Sequence, residues 1–200
     1  MKLILPFLLV LIIISCGDKI IKTKYDTGEK HEEYNYTGDS LKNGIYKQFS
    51  KSGILREKSN YENGKLNGER RIFNKNGNLE IIELYENEIL NGPYQEFYDN
   101  GTPKMIAKYT NNILEGLVKV YFSSGKIKEE VYFANNLENG PFKEFYENGK
   151  LKWEGAYKNG NNEFGLIKRY NEQGVLIRKL MCDDQSICTT TWTIDGSHLK

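Results

Sequence analysis

Cysteine and histidine are the residues most able to carry chemistry in this chain, and there are few of them. The 200 residues include three cysteines and two histidines. Neither His31 nor His198 lies in the CxxC or HxxxH spacing of a metal site. No histidine lies near a serine or cysteine that could serve as a nucleophile, and no glycines crowd together as in a phosphate-binding loop. The sequence therefore predicts a protein that is not an enzyme, with no catalytic residues, no cofactor and no metal.

The first fifteen residues differ from the rest of the chain. Lys2 gives a short positive start, and residues 3–14 are almost entirely aliphatic. About a dozen apolar residues fall short of the roughly 20 needed for a membrane-spanning helix, so the run indicates an export signal. Ile13-Ile14-Ser15-Cys16-Gly17 resembles the lipobox of bacterial lipoprotein precursors. The resemblance implies cleavage before Cys16, lipid on its thiol and a membrane anchor. The alternative is an ordinary secretory leader or a short membrane anchor with an incidental cysteine.

The residue after Cys16 bears on location. By resemblance to lipoprotein sorting in two-membrane bacteria, an aspartate directly after the lipidated cysteine tends to retain the protein at the inner membrane. Here Gly17 holds that position and Asp18 follows one residue later. We therefore expect a lipid-anchored protein of the cell envelope, at the outer membrane rather than the inner.

Cys182 and Cys188 are the remaining cysteines. If Cys16 carries lipid, they form an even pair in an oxidising compartment, which favours a disulfide. The alternative is a metal site, to which Asp183 and Asp184 could contribute, but adjacent carboxylates on a loop are more often simply solvated.

The end of the chain is expected to form a cap. The disulfide should fold residues 189–194 back onto the strand of residues 175–181, with Trp192 covering the end of the apolar row. Such a cap would protect the final edge of an open sheet.

An internal repeat of about 24 residues occupies most of the chain, and self-similarity at this period indicates a repeat architecture. Each repeat starts at a first glycine and has a second glycine nine residues later. The first glycines are Gly44, Gly68, Gly92, Gly116, Gly140 and Gly165. An aromatic residue follows five of them by seventeen residues: Tyr61, Tyr85, Tyr109, Phe133 and Tyr157.

Four regions follow from these patterns. Residues 1–15 are the signal peptide, and residues 16–24 are the lipidated Cys16 with a polar tether. Residues 25–181 are the array, with a partial N-terminal repeat, full repeats from 44, 68, 92, 116 and 140, and an incomplete repeat from 165. Residues 182–200 are the C-terminal cap.

Each repeat should be a β-hairpin. Asn-Gly between two aromatic or β-branched runs, as at Asn148-Gly149, is the strongest local hairpin signal. A three-residue turn ending in a left-handed glycine would place Phe145 opposite Leu151. Joined end to end, the hairpins predict an all-β, elongated antiparallel meander of twelve to fourteen strands, forming a single twisted layer.

Residues 140–160 show the whole pattern, and they look like the MORN-repeat variant of bacterial proteins, including those grouped as YwqK-type antitoxins. The likeness covers residues 25–181. It implies a non-catalytic scaffold that binds proteins and sometimes lipids. The near balance of 28 basic and 27 acidic residues argues against nucleic acid as a partner.

The row Tyr61, Tyr85, Tyr109, Phe133 and Tyr157 is either core or a groove that binds a ligand, and core is favoured because a single-layer sheet has little else to bury. Three functions remain open. The first is a membrane-anchored scaffold for a protein partner. The others are a surface glycan-binding protein and an antitoxin- or immunity-type protein that neutralises a toxin.

Overall fold

The computed structural model describes residues 19–38 and 41–197, and over these ranges the chain forms one open antiparallel sheet of seventeen strands. The signal peptide and Cys16 lie outside the described residues, as do the last three residues of the predicted cap. The strands are β1 Lys19–Lys24, β2 Lys30–Tyr36, β3 Lys42–Phe49, β4 Leu55–Glu62, β5 Lys65–Phe73, β6 Leu79–Glu86, β7 Ile89–Leu90, β8 Gly92–Phe97, β9 Pro103–Thr110, β10 Ile113–Leu114, β11 Gly116–Tyr121, β12 Ile127–Ala134, β13 Leu137–Phe145, β14 Leu151–Tyr157, β15 Glu163–Tyr170, β16 Leu176–Cys182 and β17 Cys188–Thr193.

The strands form a meander, because each pairs with its neighbours in the chain. Short β7 and β8 share one position beside β6, and β10 and β11 share one position beside β9. Counted in this way, the described sheet has fifteen strand positions, of which thirteen lie in the predicted array. The predicted all-β antiparallel meander of hairpin repeats is confirmed.

The turn inside each repeat has the predicted geometry. Phe145 pairs with Leu151, and the second glycine of that repeat, Gly149, has a φ of 85°. The Gly149 N–H donates to the Tyr146 carbonyl at 2.8 Å, while the Tyr146 N–H donates to the Lys150 carbonyl at 2.9 Å. Glycine is required because an L side chain at this positive φ would be strained.

The turns at residues 63–64, 87–88, 111–112 and 135–136 are two-residue turns with both central residues at positive φ. At Asn111-Asn112 the φ values are 51° and 66°. Asparagine tolerates this conformation better than other side chains. The Asn112 side-chain oxygen also accepts a 2.8 Å hydrogen bond from the Leu90 N–H of the preceding repeat. These turns therefore link successive repeats by hydrogen bonds at one end of the strands.

The first glycine of each repeat lies in a bulge. Ser59 pairs with Arg70 and Tyr61 pairs with Leu66, so two steps along β4 match four steps along β5. Gly68 lies within this bulge at a φ of 105°. Across the hairpin of its own repeat, Gly68 pairs with Tyr85. Each of the other first glycines up to Gly140 likewise pairs with the aromatic residue that follows it by seventeen positions.

The buried core is one row of side chains that crosses the middle of the sheet. In each repeat this row contains the residue two positions after the first glycine. Its cross-strand partner, fifteen positions after the same glycine, also belongs to the row. We call the face that carries this row the inner face. Its buried members are Tyr46, Ser59, Ala107, Val118, Val131, Phe142 and Ile167. The layer is single, so these side chains are covered by flanking side chains of the same face rather than by a second layer.

Residues 19–24 form β1 rather than the polar tether expected from their lysines. β1 pairs with β2, for example Ile21 with Tyr34, and Ile20 lies 56% exposed. The turn at residues 25–28 supports this hairpin, since the Gly28 N–H donates to the Tyr25 carbonyl at 2.9 Å. The β-branched pair Ile20-Ile21 favours a strand, and the lysines beside it suit an edge strand because they discourage pairing with another chain.

The C-terminal segment folds back as β17 onto β16, in the predicted antiparallel sense. A disulfide joins Cys182 and Cys188, which are also paired in the register. Trp192 takes a different place from the one expected, because it pairs with Lys179 beyond a register shift. The sulfur atoms of the disulfide, rather than the Trp192 ring, pack against the buried row at this end.

Among the described residues, the structure contains no helix of the length and hydropathy that a bilayer crossing requires.

Candidate functional site

The predicted aromatic row Tyr61, Tyr85, Tyr109, Phe133 and Tyr157 runs along the inner face beside the buried core, and each of its members is half-buried. Three of the rings contact the core residue of the same hairpin. Tyr61 meets Tyr46 edge-on at 5.7 Å between centroids, Tyr109 meets Tyr94 at 5.6 Å, and Tyr157 stacks on Phe142 at 4.2 Å. Such pairs stabilise a core. The row therefore packs against the core residues of the inner face.

Burial changes the acidity of these tyrosines. Burial, reinforced by the negative charge of Glu129, raises the pKa of Tyr157 to about 12. Burial and nearby Glu96 raise the pKa of Tyr94 to the same value, about 12. These hydroxyls stay protonated at physiological pH and can donate hydrogen bonds, but they cannot act as bases.

A polar cluster replaces the apolar core row in the second repeat. The Arg70 guanidinium donates to both Glu57 carboxylate oxygens, at 3.1 and 3.0 Å, and to Glu83 at 3.1 Å. Ser59, which is fully buried, donates to Glu57 at 3.0 Å. Burial alone would raise the pKa of Glu57, but the hydrogen bonds and charge of Arg70 outweigh it and lower that pKa. The cluster is satisfied internally, so it is structural.

The Lys42 ammonium lies among three tyrosine rings at the N-terminal end of the inner face. It is 3.9 Å from the centroid of Tyr46 and 5.1 Å from those of Tyr34 and Tyr61. Cation–π contacts of this kind hold the lysine over the rings. The cage is thus filled by a side chain of the same protein.

One group of three potential metal ligands is found among the described residues: Glu163, Cys182 and Cys188. Both sulfurs belong to the disulfide, which removes the thiolates that a metal would need. The Cys188 sulfur lies 3.4 Å from a Glu163 carboxylate oxygen. The group is therefore a covalent cross-link with a neighbouring carboxylate.

The opposite face of the sheet, which we call the outer face, carries a row of exposed apolar side chains. Neighbouring strands place these residues side by side: Leu117 pairs with Tyr132, and Leu166 pairs with Met181. Pro141 and Phe164 both pair with Ala156, so they continue the line across β13 to β15. The outer apolar row consists of Leu117, Tyr132, Pro141, Phe164, Leu166 and Met181.

The members of the outer apolar row are open to solvent. Leu117 is 37% exposed and Met181 is 49% exposed, and the other four members are exposed as well. A shallow depression of about 440 Å³ lies between Pro141, Phe164 and Leu166. A line of exposed apolar side chains on neighbouring strands makes this face a candidate interaction surface.

A second row runs beside the first on the outer face, two residues further along each strand. It is formed by Lys119, Glu130, Lys143, Glu154, Lys168 and Lys179, each pairing with the next across the sheet. Two ion pairs lie within this charged row: Lys119 with Glu130 at 3.1 Å, and Lys168 with Glu154 at 2.8 Å. The six side chains carry four positive and two negative charges, so the row is basic overall.

Sequence reasoning missed the outer apolar row. Its signal was present, because the residue after the first glycine is Glu69 in the second repeat and apolar in the other five, as Ile45, Pro93, Leu117, Pro141 and Leu166. A solvated face has no need of an apolar residue at that position, so its recurrence marks a surface with another purpose. The partner strand adds Tyr132 and Met181 at the sixteenth position after the first glycine.

The fold and its sites define a class of protein: a tandem β-hairpin repeat with an exposed apolar row on one face. The comparison with known families agrees and is more specific, since the MORN repeat variant matches residues 42–63, 66–87, 90–111, 114–135 and 138–159. These matches cover more than half of the chain, and the protein belongs to the MORN repeat variant family. None of the curated proteins matches it.

Proposed function

We propose that this protein is a non-catalytic scaffold that binds a protein partner at the cell envelope, where lipid on Cys16 anchors it to a membrane. The observation that carries the binding role is the outer apolar row, which the chain leaves exposed beside a charged row on the outer face. The aromatic row of the inner face is already packed on the core, so it supports a glycan-stacking role less well.

The envelope location rests on two supports. The leader and Ile14-Ser15-Cys16-Gly17 have the pattern of an exported lipoprotein. The Cys182–Cys188 disulfide is the kind of bond that persists in an oxidising compartment. With glycine rather than aspartate after Cys16, we assign the anchor to the outer membrane.

Pull-down of the full chain from detergent-solubilised envelope tests the binding role. We expect one protein to co-purify in a stoichiometric amount. Retention of the chain on glycan beads without such a protein would contradict the scaffold, and capture of a toxin domain would favour the immunity-type role.

Cys16→Ala tests the anchor. The variant should lose lipid labelling and accumulate as an uncut or unanchored protein, because the acyl chains supply most of the membrane affinity. A Cys16→Ala protein that is still processed and still sediments with membranes would contradict the lipid anchor.

A further inference from the structure

We infer that the outer apolar row and the charged row beside it receive a single amphipathic helix of the partner protein, with acidic residues flanking its apolar side. This inference rests on the proposed binding function and narrows it to one surface and one kind of partner segment.

The first argument is the shape of the surface. The row extends over β11 to β16, five steps between strands, which at about 4.8 Å per step gives roughly 24 Å. It is one residue wide, and the charged row adds a second line about 7 Å away. The surface is therefore long and narrow, and it fits a rod-like segment better than the broad face of a domain.

The second argument is the area. The two rows together present roughly 300–400 Å². A stable interface between two folded proteins buries about 800 Å² on each partner. A second copy of this chain laid on the same rows would fall short of that area, whereas one helix needs to cover only a strip of this size.

The third argument is the spacing of the side chains. The outer apolar row has members on β11, β12, β13, β15 and β16, and Ala156 continues the line on β14. Apolar side chains therefore follow one another from strand to strand at about 4.8 Å. Apolar residues at positions i and i+3 or i+4 of a helix lie 4.5–6 Å apart along its axis. A helix of about 16 residues would therefore set one apolar side chain over each strand from Leu117 to Met181.

The fourth argument is charge. Four lysines and two glutamates form the charged row, and Lys168 and Lys179 stand next to each other at its C-terminal end. Lys119 and Lys168 are already paired with Glu130 and Glu154, so the net positive charge of the row comes from Lys143 and Lys179. A helix with glutamate or aspartate along that flank, over Lys143 and Lys179, complements this pattern. A basic helix is disfavoured by the same charges.

The repeat itself shows which substitutions can test the surface without unfolding the sheet. The position of Leu117 and Leu166 is occupied by Glu69 in the second repeat, so a glutamate is compatible with the hairpin there. The test variant is therefore Leu117→Glu with Leu166→Glu. The matched control is Ile45→Glu, at the same position of the first repeat, where the side chain is 43% exposed.

The experiment is photo-cross-linking of the full chain, with its leader, in the cells that make it. p-Benzoyl-phenylalanine replaces Tyr132 in the outer apolar row, and in separate proteins it replaces Ile45 or Ile89, which are exposed elsewhere. We expect an adduct from the Tyr132 position, mapped by mass spectrometry to a segment with apolar residues at i, i+3 or i+4 and flanking acidic residues. Leu117→Glu with Leu166→Glu should lower its yield at least tenfold, and Ile45→Glu should leave it unchanged.

The other outcomes separate the inference from the proposed function. An adduct from Ile45 or Ile89 but not from Tyr132 would overturn this assignment and leave the scaffold intact. An adduct between two copies of this chain, or to an extended or basic segment, would also overturn it. The absence of a polypeptide adduct at all three positions would count against both the helix and the scaffold.

Discussion

Gly155 occupies the buried row at a place where the space for a side chain is already taken. A Cβ on Gly155 would lie 2.3 Å from the Ile167 Cδ1 atom and 3.0 Å from the Phe142 Cε1 atom. Both neighbours are buried, at 0% and 4% exposure, so neither can swing into solvent. The same position in an earlier repeat is Ala107, which shows that the backbone itself accepts a side chain there.

We therefore expect Gly155→Ala to destabilise the fold by about 1–3 kcal/mol, the usual cost of overpacking a close-packed interior. Ile167→Val removes Cδ1, the atom in the closest approach, and should alone cost about 0.5–1.5 kcal/mol. In the double variant the alanine methyl fills the space that the valine leaves. Its cost should be smaller than the sum of the single costs by about 1 kcal/mol.

The assay is urea-induced unfolding of protein without the leader, followed by tryptophan fluorescence, with Gly38→Ala as the control. Gly38 has no heavy atom within 4 Å of its ideal Cβ and has no positive φ. The control should therefore lose no stability. An unaffected Gly155→Ala variant, or strict additivity in the double variant, would refute the packing described for the buried row.

Two further predictions concern the Arg70 ion-pair cluster and the Cys182–Cys188 disulfide. Arg70→Met should cost about 2–3 kcal/mol at pH 7, because it leaves the Glu57 and Glu83 carboxylates half-buried without their cation. Arg70 holds the pKa of Glu57 below its usual value, so the stabilisation is present above about pH 4.5 and is lost as pH falls through the folded-state pKa. The difference between wild type and variant in urea unfolding should therefore shrink in acid, and a difference that grows in acid would contradict this account. Replacing both Cys182 and Cys188 with serine should cost about 2 kcal/mol, since the bond closes a short loop. Hydrogen exchange should show lost protection in β16 and β17 with β3 to β14 unchanged, and a loss spread over the whole sheet would show that the bond is not a local cap.

The repeat and its hairpins could be predicted from the sequence because backbone conformation selects the residues. Glycine holds positive φ at low cost, so the turn at Asn148-Gly149 is visible from the sequence alone. The pairing of Phe145 with Leu151 followed from the turn length. The period of two along the returning strand puts Trp153 and Tyr157 on one face, where both pack on the core.

The sequence does not indicate in the same way which row of side chains is buried. The bulge at each first glycine changes the register by two residues, so the outgoing strand has no simple alternation. The sheet is a single layer, and no second layer marks one of its faces as internal. The polarity of the row did not help either, because Ser59 and Arg70 belong to the buried row while Leu117 and Leu166 are exposed. Strand β1 was not predicted because its three lysines give residues 19–24 the composition of a polar tether, although the Ile20-Ile21 pair favours a strand.

The number of strands in the meander also determines distances along the sheet. Each repeat adds two strand positions, about 10 Å along the sheet, and the outer apolar row begins eight positions beyond β1. If Cys16 carries the proposed lipid, three residues before β1, the row starts roughly 40 Å along the sheet from the anchored end. Removal of residues 68–91, one complete repeat, would keep every register and shorten that distance by about 10 Å. In the proposed lipoprotein, the number of repeats before Gly116 would therefore set how far from the bilayer a partner is held.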